Sequence, residues 1–92
     1  MNISSAIVKL RLFEVSSLKE KRQIVKSLIE RLRNRYNISI SEIDSLEMYN
    51  FAIIGFACVS NDRKLNHQTI DSVIEFIDGD YRVEIVEIDI ES

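Results

Sequence analysis

The chain has no proline, no tryptophan, two glycines, one cysteine and one histidine in 92 residues. Without proline, and with Gly55 and Gly79 standing alone, it has neither the composition of a loop-rich scaffold nor a glycine-rich phosphate loop. Cys58 cannot form an internal disulfide, and one cysteine with one histidine cannot build a zinc cluster of recognisable spacing. No apolar run reaches the ~18 residues of a membrane span. No charged segment followed by a long apolar stretch opens the chain, so the expectation is a cytoplasmic protein without a membrane partner.

What remains is ordinary globular material. Hydrophobic residues make up 46% and charged residues 29%, which argues against disorder. The length suits a single domain over residues 1–92, burying about 60–65% of its unfolded surface. A core this small gains from association with a second copy.

The net charge of −3 conceals an asymmetry. Residues 1–41 hold nine Lys/Arg and three acids, giving +6, while residues 42–92 hold three basic residues and twelve acids, giving −9. One consequence is a basic face that could meet nucleic acid. The alternative is that the halves neutralise each other within the fold or between subunits.

Residues 6–13 alternate with period two, and Ala6, Val8, Leu10 and Leu12 form one face of a first strand. Ser17 and Glu20 then fit a capping box in which Ser17 caps the helix and Glu20 reaches back to the free amide. Leu18, Ile24, Val25, Leu28, Ile29, Leu32 and Tyr36 share one helical arc, which ends near Asn37. A short strand over 38–43, an acidic turn over 44–47 and an apolar strand over 51–59 follow. A second helix over 65–78 presents Ile70, Val73, Ile74 and Ile77, with Gly79 suited to a left-handed cap. In the last strand, 81–90, the apolar phase slips between Ile85 and Val86, which predicts a bulge.

This element order is that of an α+β, ferredoxin-like βαββαβ sandwich, with a four-stranded antiparallel sheet and two helices on one face. The last strand falls at an edge, where Glu84, Glu87, Asp89 and Glu91 discourage stray pairing. If Ala52, Ile54, Phe56 and Cys58 face the helices, then Phe51, Ile53, Ala57 and Val59 face outward, joined by Ile7 and Phe13. A strand apolar on both sides is usually covered on both sides. These six residues are therefore candidates for self-association, as a homodimer.

No catalytic constellation is visible, and the expectation is a non-enzymatic protein without a cofactor. Cys58, in an apolar run, reads as a small buried hydrophobe, and His67 as a solvated residue on the first turn of the second helix. The carboxylates Glu42, Asp44 and Glu47 could hold a hard cation, although an acidic turn of this kind is the commoner structure. Lys21 falls at the centre of the apolar arc, a poor place for a charge without a partner, which predicts an ion pair to Asp44 or Glu47. Lys19, Arg22, Lys26 and Arg33 lie within about 60° of one another on the helix and could touch successive phosphates. Glu30, in the same stripe, is expected to pair with Lys26 or Arg33. An RNA-recognition motif shares the element order but stacks bases on sheet aromatics. Here residues 51–56 match only fragments of that pattern, and the first strand has no aromatic before Phe13.

Ser17-Leu18-Lys19-Glu20-Lys21-Arg22, then the run from Leu32-Arg33-Asn34-Arg35-Tyr36 through Ile43-Asp44, resembles the YlxP-like family of small bacterial proteins. The likeness continues through residues 52–60. Tyr49 stands where relatives commonly carry tryptophan, and Glu47 where they commonly carry aspartate. The resemblance implies a ferredoxin-like fold and supplies no catalytic residues. Genes of the family often lie near those for translation initiation and ribosome maturation, so it also implies a translation-linked role. The resulting expectation is an accessory factor binding RNA or a ribosomal particle through the basic first helix. The alternative is a self-associating protein-interaction or regulatory module that binds no nucleic acid.

Overall fold

A computed structural model describes residues 1–44 and 48–91. Its first strand, β1 (Asn2–Leu12), buries every second residue, Ser4, Ala6, Val8, Leu10 and Leu12, as the period of a pleated strand requires. The capped first helix, α1 (Leu18–Arg35), follows. Then come β2 (Ser39–Asp44), β3 (Phe51–Ser60), the second helix α2 (Arg63–Asp78) and β4 (Val83–Glu91). The sheet order is β2-β3-β1-β4, antiparallel throughout. This is the ferredoxin-like α+β sandwich, with β4 at an edge as expected.

The helices cover one face. α2 packs over β1, β3 and β4, and α1 packs toward β2. Between them and the sheet lie Val8, Leu10, Leu28, Leu32, Ile54, Ile70, Val73 and Ile77, all essentially sealed from water. Each such side chain contributes roughly 1.5–3 kcal/mol of transfer free energy. Leu28 and Leu32, one turn apart on α1, carry the helix onto this core.

Two bulges sort the side chains of the edge strands. In β4, Lys9 opposes Glu87 but Leu10 opposes Ile85, so Val86 is the extra residue. This is the bulge that the slip between Ile85 and Val86 predicts. Its effect is to put Val83, Ile85, Ile88 and Ile90 in phase with the helix side. Glu84, Glu87, Asp89 and Glu91 all pair with outward residues of β1. In β2, Glu42 opposes Ile54 whereas Asp44 opposes Ile53, so Ile43 is the extra residue. Asp44 is thereby turned to the outer face, and Ile43 lies across Gly55, where an added Cβ would meet its Cγ2 at 2.9 Å.

The structure corrects several local expectations. Gly79 ends α2 in the right-handed region, at φ −78° and ψ −7°. A left-handed cap is not used, because the chain continues directly into the turn at Asp80, whose N–H donates to the Ile77 carbonyl at 3.0 Å. Among the described residues, Glu14, in the connection after β1, is the one with positive φ, at 55°. α2 begins two residues before the expected start because Asp62 caps it, accepting from the Lys64 N–H at 2.9 Å. The last strand begins at Val83, since Tyr81 and Arg82 belong to the turn. The expected acidic turn over 44–47 falls largely on residues 45–47, outside the described residues.

Candidate nucleic-acid interface

The first helix starts at a firm cap. The Ser17 hydroxyl accepts from the Glu20 N–H at 3.2 Å. The Glu20 carboxylate accepts from the Ser16 hydroxyl at 2.8 Å and the Ser16 N–H at 3.4 Å. The returning bond of the capping box thus lands one residue earlier than expected.

Lys19, Arg22, Lys26 and Arg33 are all exposed along one flank of α1. Arg22, Lys26 and Arg33 line a shallow groove of about 350 Å³ between α1 and β2, together with Val25, Ile29, Glu30 and Glu42. Lys19 stands one turn earlier, beyond the groove. Arg33 donates from Nη2 to the Ile40 carbonyl at 3.0 Å, so it also closes part of the open β2 edge. Among the described residues, no carboxylate lies within 4.0 Å of any of these four cations. The expected pairing of Glu30 with Lys26 or Arg33 is therefore not made. A lysine placed N-terminal to a glutamate at i,i+4 is the weaker orientation, and Arg33 is already engaged by Ile40.

Lys21 has the buried position expected of it, and among the described residues it meets Glu42 and Met48. Its Nζ lies 3.8 Å from Glu42 Oε2 and donates to the Met48 carbonyl at 3.3 Å. Asp44 is not the partner, because the bulge at Ile43 turns it to the opposite face. Glu47, the other expected partner and cation ligand, lies outside the described residues. Among the described residues, no group of three His, Cys, Asp or Glu side chains is placed to hold a metal ion.

On the other flank of α1, toward α2, the arginines are engaged. Arg31 stacks on Phe76 at 5.2 Å and stands 3.9 Å from Asp80. Arg35 stacks on Phe76 at 5.4 Å and on Tyr36 at 5.8 Å. Asp80 is buried and bound in fork geometry by Arg82, at 3.0 Å from Nε and 2.7 Å from Nη2. That hydrogen-bonded guanidinium holds the Asp80 carboxyl below its usual range, and the Asp80 carboxylate raises the pKa of Arg82 in turn. The sequence reading missed this pair, although an acid and an arginine two residues apart beside a helix end were there to be seen.

Cys58 is buried, and its thiol donates to the Asn66 carbonyl at 3.7 Å. Burial pushes its pKa up, the opposite of an activated thiolate. His67 is exposed on the second turn of α2, one turn later than expected. No helix among the described residues is long and apolar enough to cross a membrane.

The second candidate set gathers on the open face of the sheet. Ile7, Phe51, Ile53, Ala57 and Val59 lie there in register, with Phe13 just beyond the end of β1. Ile3 and Ile43, 57% and 50% exposed, extend the apolar surface beyond the residues expected from sequence. Lys9 covers the Phe51 ring at 5.2 Å, Arg11 covers Phe13 at 5.2 Å, and Arg11 also pairs with Glu84 at 2.8 Å. Phe56 faces the core, 3% exposed, so β3 offers only Phe51 as an outward ring. That is too little for base stacking on the sheet.

The arrangement defines a small ferredoxin-like α+β domain whose candidate contacts lie on a helix flank and an open sheet face. The chain belongs to the family described as protein of unknown function (DUF503), whose model matches residues 3–90. It is similar to the uncharacterized protein YlxP of Bacillus subtilis (strain 168), with 35% identity over 68 residues, 74% of each chain. The likeness expected from the capping segment is thus found. Among solved structures, the de novo designed protein Foldit4 matches with TM-score 0.60 and 12% identity, over 99% of this chain and 98% of that one. The structured domain of Drosophila melanogaster Boca matches with TM-score 0.51 and 20% identity, over 99% and 97%. Both likenesses concern the fold alone.

Proposed function

We propose that this protein is a non-enzymatic, translation-linked accessory factor of the cytoplasm that binds RNA, free or in a ribosomal particle, through the outer flank of α1. The observation that supports the reading is the row Lys19, Arg22, Lys26 and Arg33, exposed and, among the described residues, without a carboxylate within 4.0 Å. The row spans roughly 20 Å of helix at 1.5 Å per residue. It stands apart from the carboxylates of β4, which occupy the opposite edge of the sheet. Exposed cations on a rigid helix match a polyanion, whose counterions they displace on contact. The resemblance to a family whose genes often lie near those for translation initiation and ribosome maturation supports that class of partner.

The test is sedimentation of the tagged protein with ribosomal particles at low and high salt, beside the variant Lys19→Glu/Arg22→Glu/Lys26→Glu. Salt-sensitive co-migration that the variant loses is the expected result. With four phosphate contacts, log K should fall with log salt at a slope of about −3. Failure to co-migrate at either salt would sink the reading.

A further inference from the structure

The two edges of the sheet are not alike. At the β2 edge Arg33 takes the Ile40 carbonyl, whereas among the described residues no strand pairs with the outer edge of β4. The Phe13 N–H donates to the Arg82 carbonyl at 2.9 Å, which sets the alternation of bonds between β1 and β4. On β1, which has no bulge of its own, Lys9, Ile7 and Ser5 follow in step with Phe13. Their partners Glu87, Asp89 and Glu91 therefore bond inward, and Ile88 and Ile90 turn their N–H and C=O groups to the free edge.

Two rows of side chains flank that stretch. On the open face Glu87, Asp89 and Glu91 are exposed, and among the described residues none has a cation within 4.0 Å. Lys9, opposite Glu87, is turned to the Phe51 ring instead. On the helix side Ile88 and Ile90 remain 41% and 47% exposed. Ile90 shares a shallow hollow of about 260 Å³ with Ile70, His67 and Asp71 of α2. Asp71 adds a further exposed carboxylate at its rim.

We propose that residues 87–91 of β4 take an extended segment of another protein as a fifth strand, one that alternates lysine or arginine with aliphatic residues. In such strand addition the main-chain bonds, here to Ile88 and Ile90, supply affinity and alternate side chains supply specificity. An added strand lies about 4.8 Å away, so its basic side chains fall beside Glu87, Asp89 and Glu91. Its aliphatic side chains fall on the helix side, against Ile88 and Ile90 and into the hollow. Both kinds of cross-strand pair are favourable.

Charge rules out the other occupants. A second copy that adds its own β4 sets two rows of carboxylates side by side, and its β2 presents Ser39, Ser41 and Asp44 on the outer face with no cation. A nucleic acid meets a row of its own sign. The carboxylates that discourage stray pairing thus also select, rejecting acidic strands and admitting a basic one. Discouragement alone needs only the charges, whereas the half-exposed isoleucines beside a hollow are surface that an incoming strand covers.

The test is titration with a short synthetic peptide alternating lysine and valine, followed by amide NMR and hydrogen exchange. Bound peptide should slow exchange of the Ile88 and Ile90 N–H groups by about tenfold or more, since these donors face the free edge. Asp89→Lys should weaken binding by about tenfold. Ile88→Pro should abolish it, because proline removes an outer donor and is tolerated where the N–H faces solvent. Circular dichroism checks that both variants are folded, and Asp89→Lys, which leaves the backbone untouched, decides the matter if the proline variant is not. A peptide alternating lysine and glycine, equal in charge, should bind about tenfold more weakly. Absence of binding, unprotected Ile88 and Ile90 amides, indifference to Asp89→Lys, or equal binding of the glycine peptide overturns the proposal. None of these changes touches α1, so this inference and the RNA reading can fail separately.

Discussion

Lys21 Nζ stands 3.8 Å from Glu42 Oε2, and the lysine side chain is only 4% exposed. The pair joins the start of α1 to an edge strand, and among the described residues Oε2 has no hydrogen bond of its own. Lys21→Met therefore strands a partly buried carboxylate, with an expected loss of about 1–3 kcal/mol in urea denaturation. Adding Glu42→Leu should recover most of that loss. A double variant as unstable as the single one would show that the lysine acts through other contacts.

Asp80 gives the chain an acid-sensitive joint. Its carboxyl is held below the usual range by Arg82, so the ionised form stabilises the fold. That contribution is complete above the unfolded carboxylate pKa of about 3.9 and is lost as pH falls through the lower folded value. Asp80→Asn should cost about 1–3 kcal/mol near neutral pH. Denaturation curves at a series of pH values should show the gap to wild type closing only below about pH 4.

Glu14 holds a left-handed backbone at φ 55°, a region that asparagine enters at lower cost. Glu14→Asn should raise stability by about 0.5–1 kcal/mol, read as a higher thermal midpoint. A lowered midpoint would mean that the glutamate side chain makes a compensating contact.

Asn66 is 1% exposed and ties α2 to the start of β1. Its Nδ2 donates to the Asn2 carbonyl at 3.0 Å and to the Ser4 hydroxyl at 3.3 Å. Asn66→Ala leaves the buried Ser4 hydroxyl and the partly buried Asn2 carbonyl without that donor, and the expected loss is about 1–3 kcal/mol. Hydrogen exchange should locate the loss at the Asn2 end of β1, with the Leu12 end protected as before.

The same pairs show what can be read from a sequence. The alternation of Ala6 to Leu12, the Ser17 cap and the bulge at Val86 were legible because each leaves a mark within a few residues of itself. A bulge in a long strand interrupts a period already established, and Ile85-Val86 is such an interruption. The bulge at Ile43 left no comparable mark, since β2 is too short to set a period, and the expectation of Asp44 as a partner of Lys21 failed with it. Asn66 and Ser4 were hidden for a different reason. Each satisfies the other across 62 positions of chain, and a polar residue whose partner is so remote looks like a surface residue. At the candidate site the positions of Lys19, Arg22, Lys26 and Arg33 followed from helical geometry alone. The idleness of Glu30 depended on Arg33 finding the Ile40 carbonyl, a tertiary event.

The β4 bulge has an effect beyond packing. By keeping Glu84, Glu87, Asp89 and Glu91 in one phase on the edge strand β4, it concentrates negative charge there, while cations of α1 that have no carboxylate within 4.0 Å among the described residues line the other edge, so the domain is an electric dipole across its short axis. In the field of a polyanion such a body feels a torque before it feels a contact, and it arrives with α1 leading. Removing Val86 would shift the phase of half those carboxylates and weaken that alignment, which under the proposed RNA binding should slow association while leaving Lys19, Arg22, Lys26 and Arg33 in place.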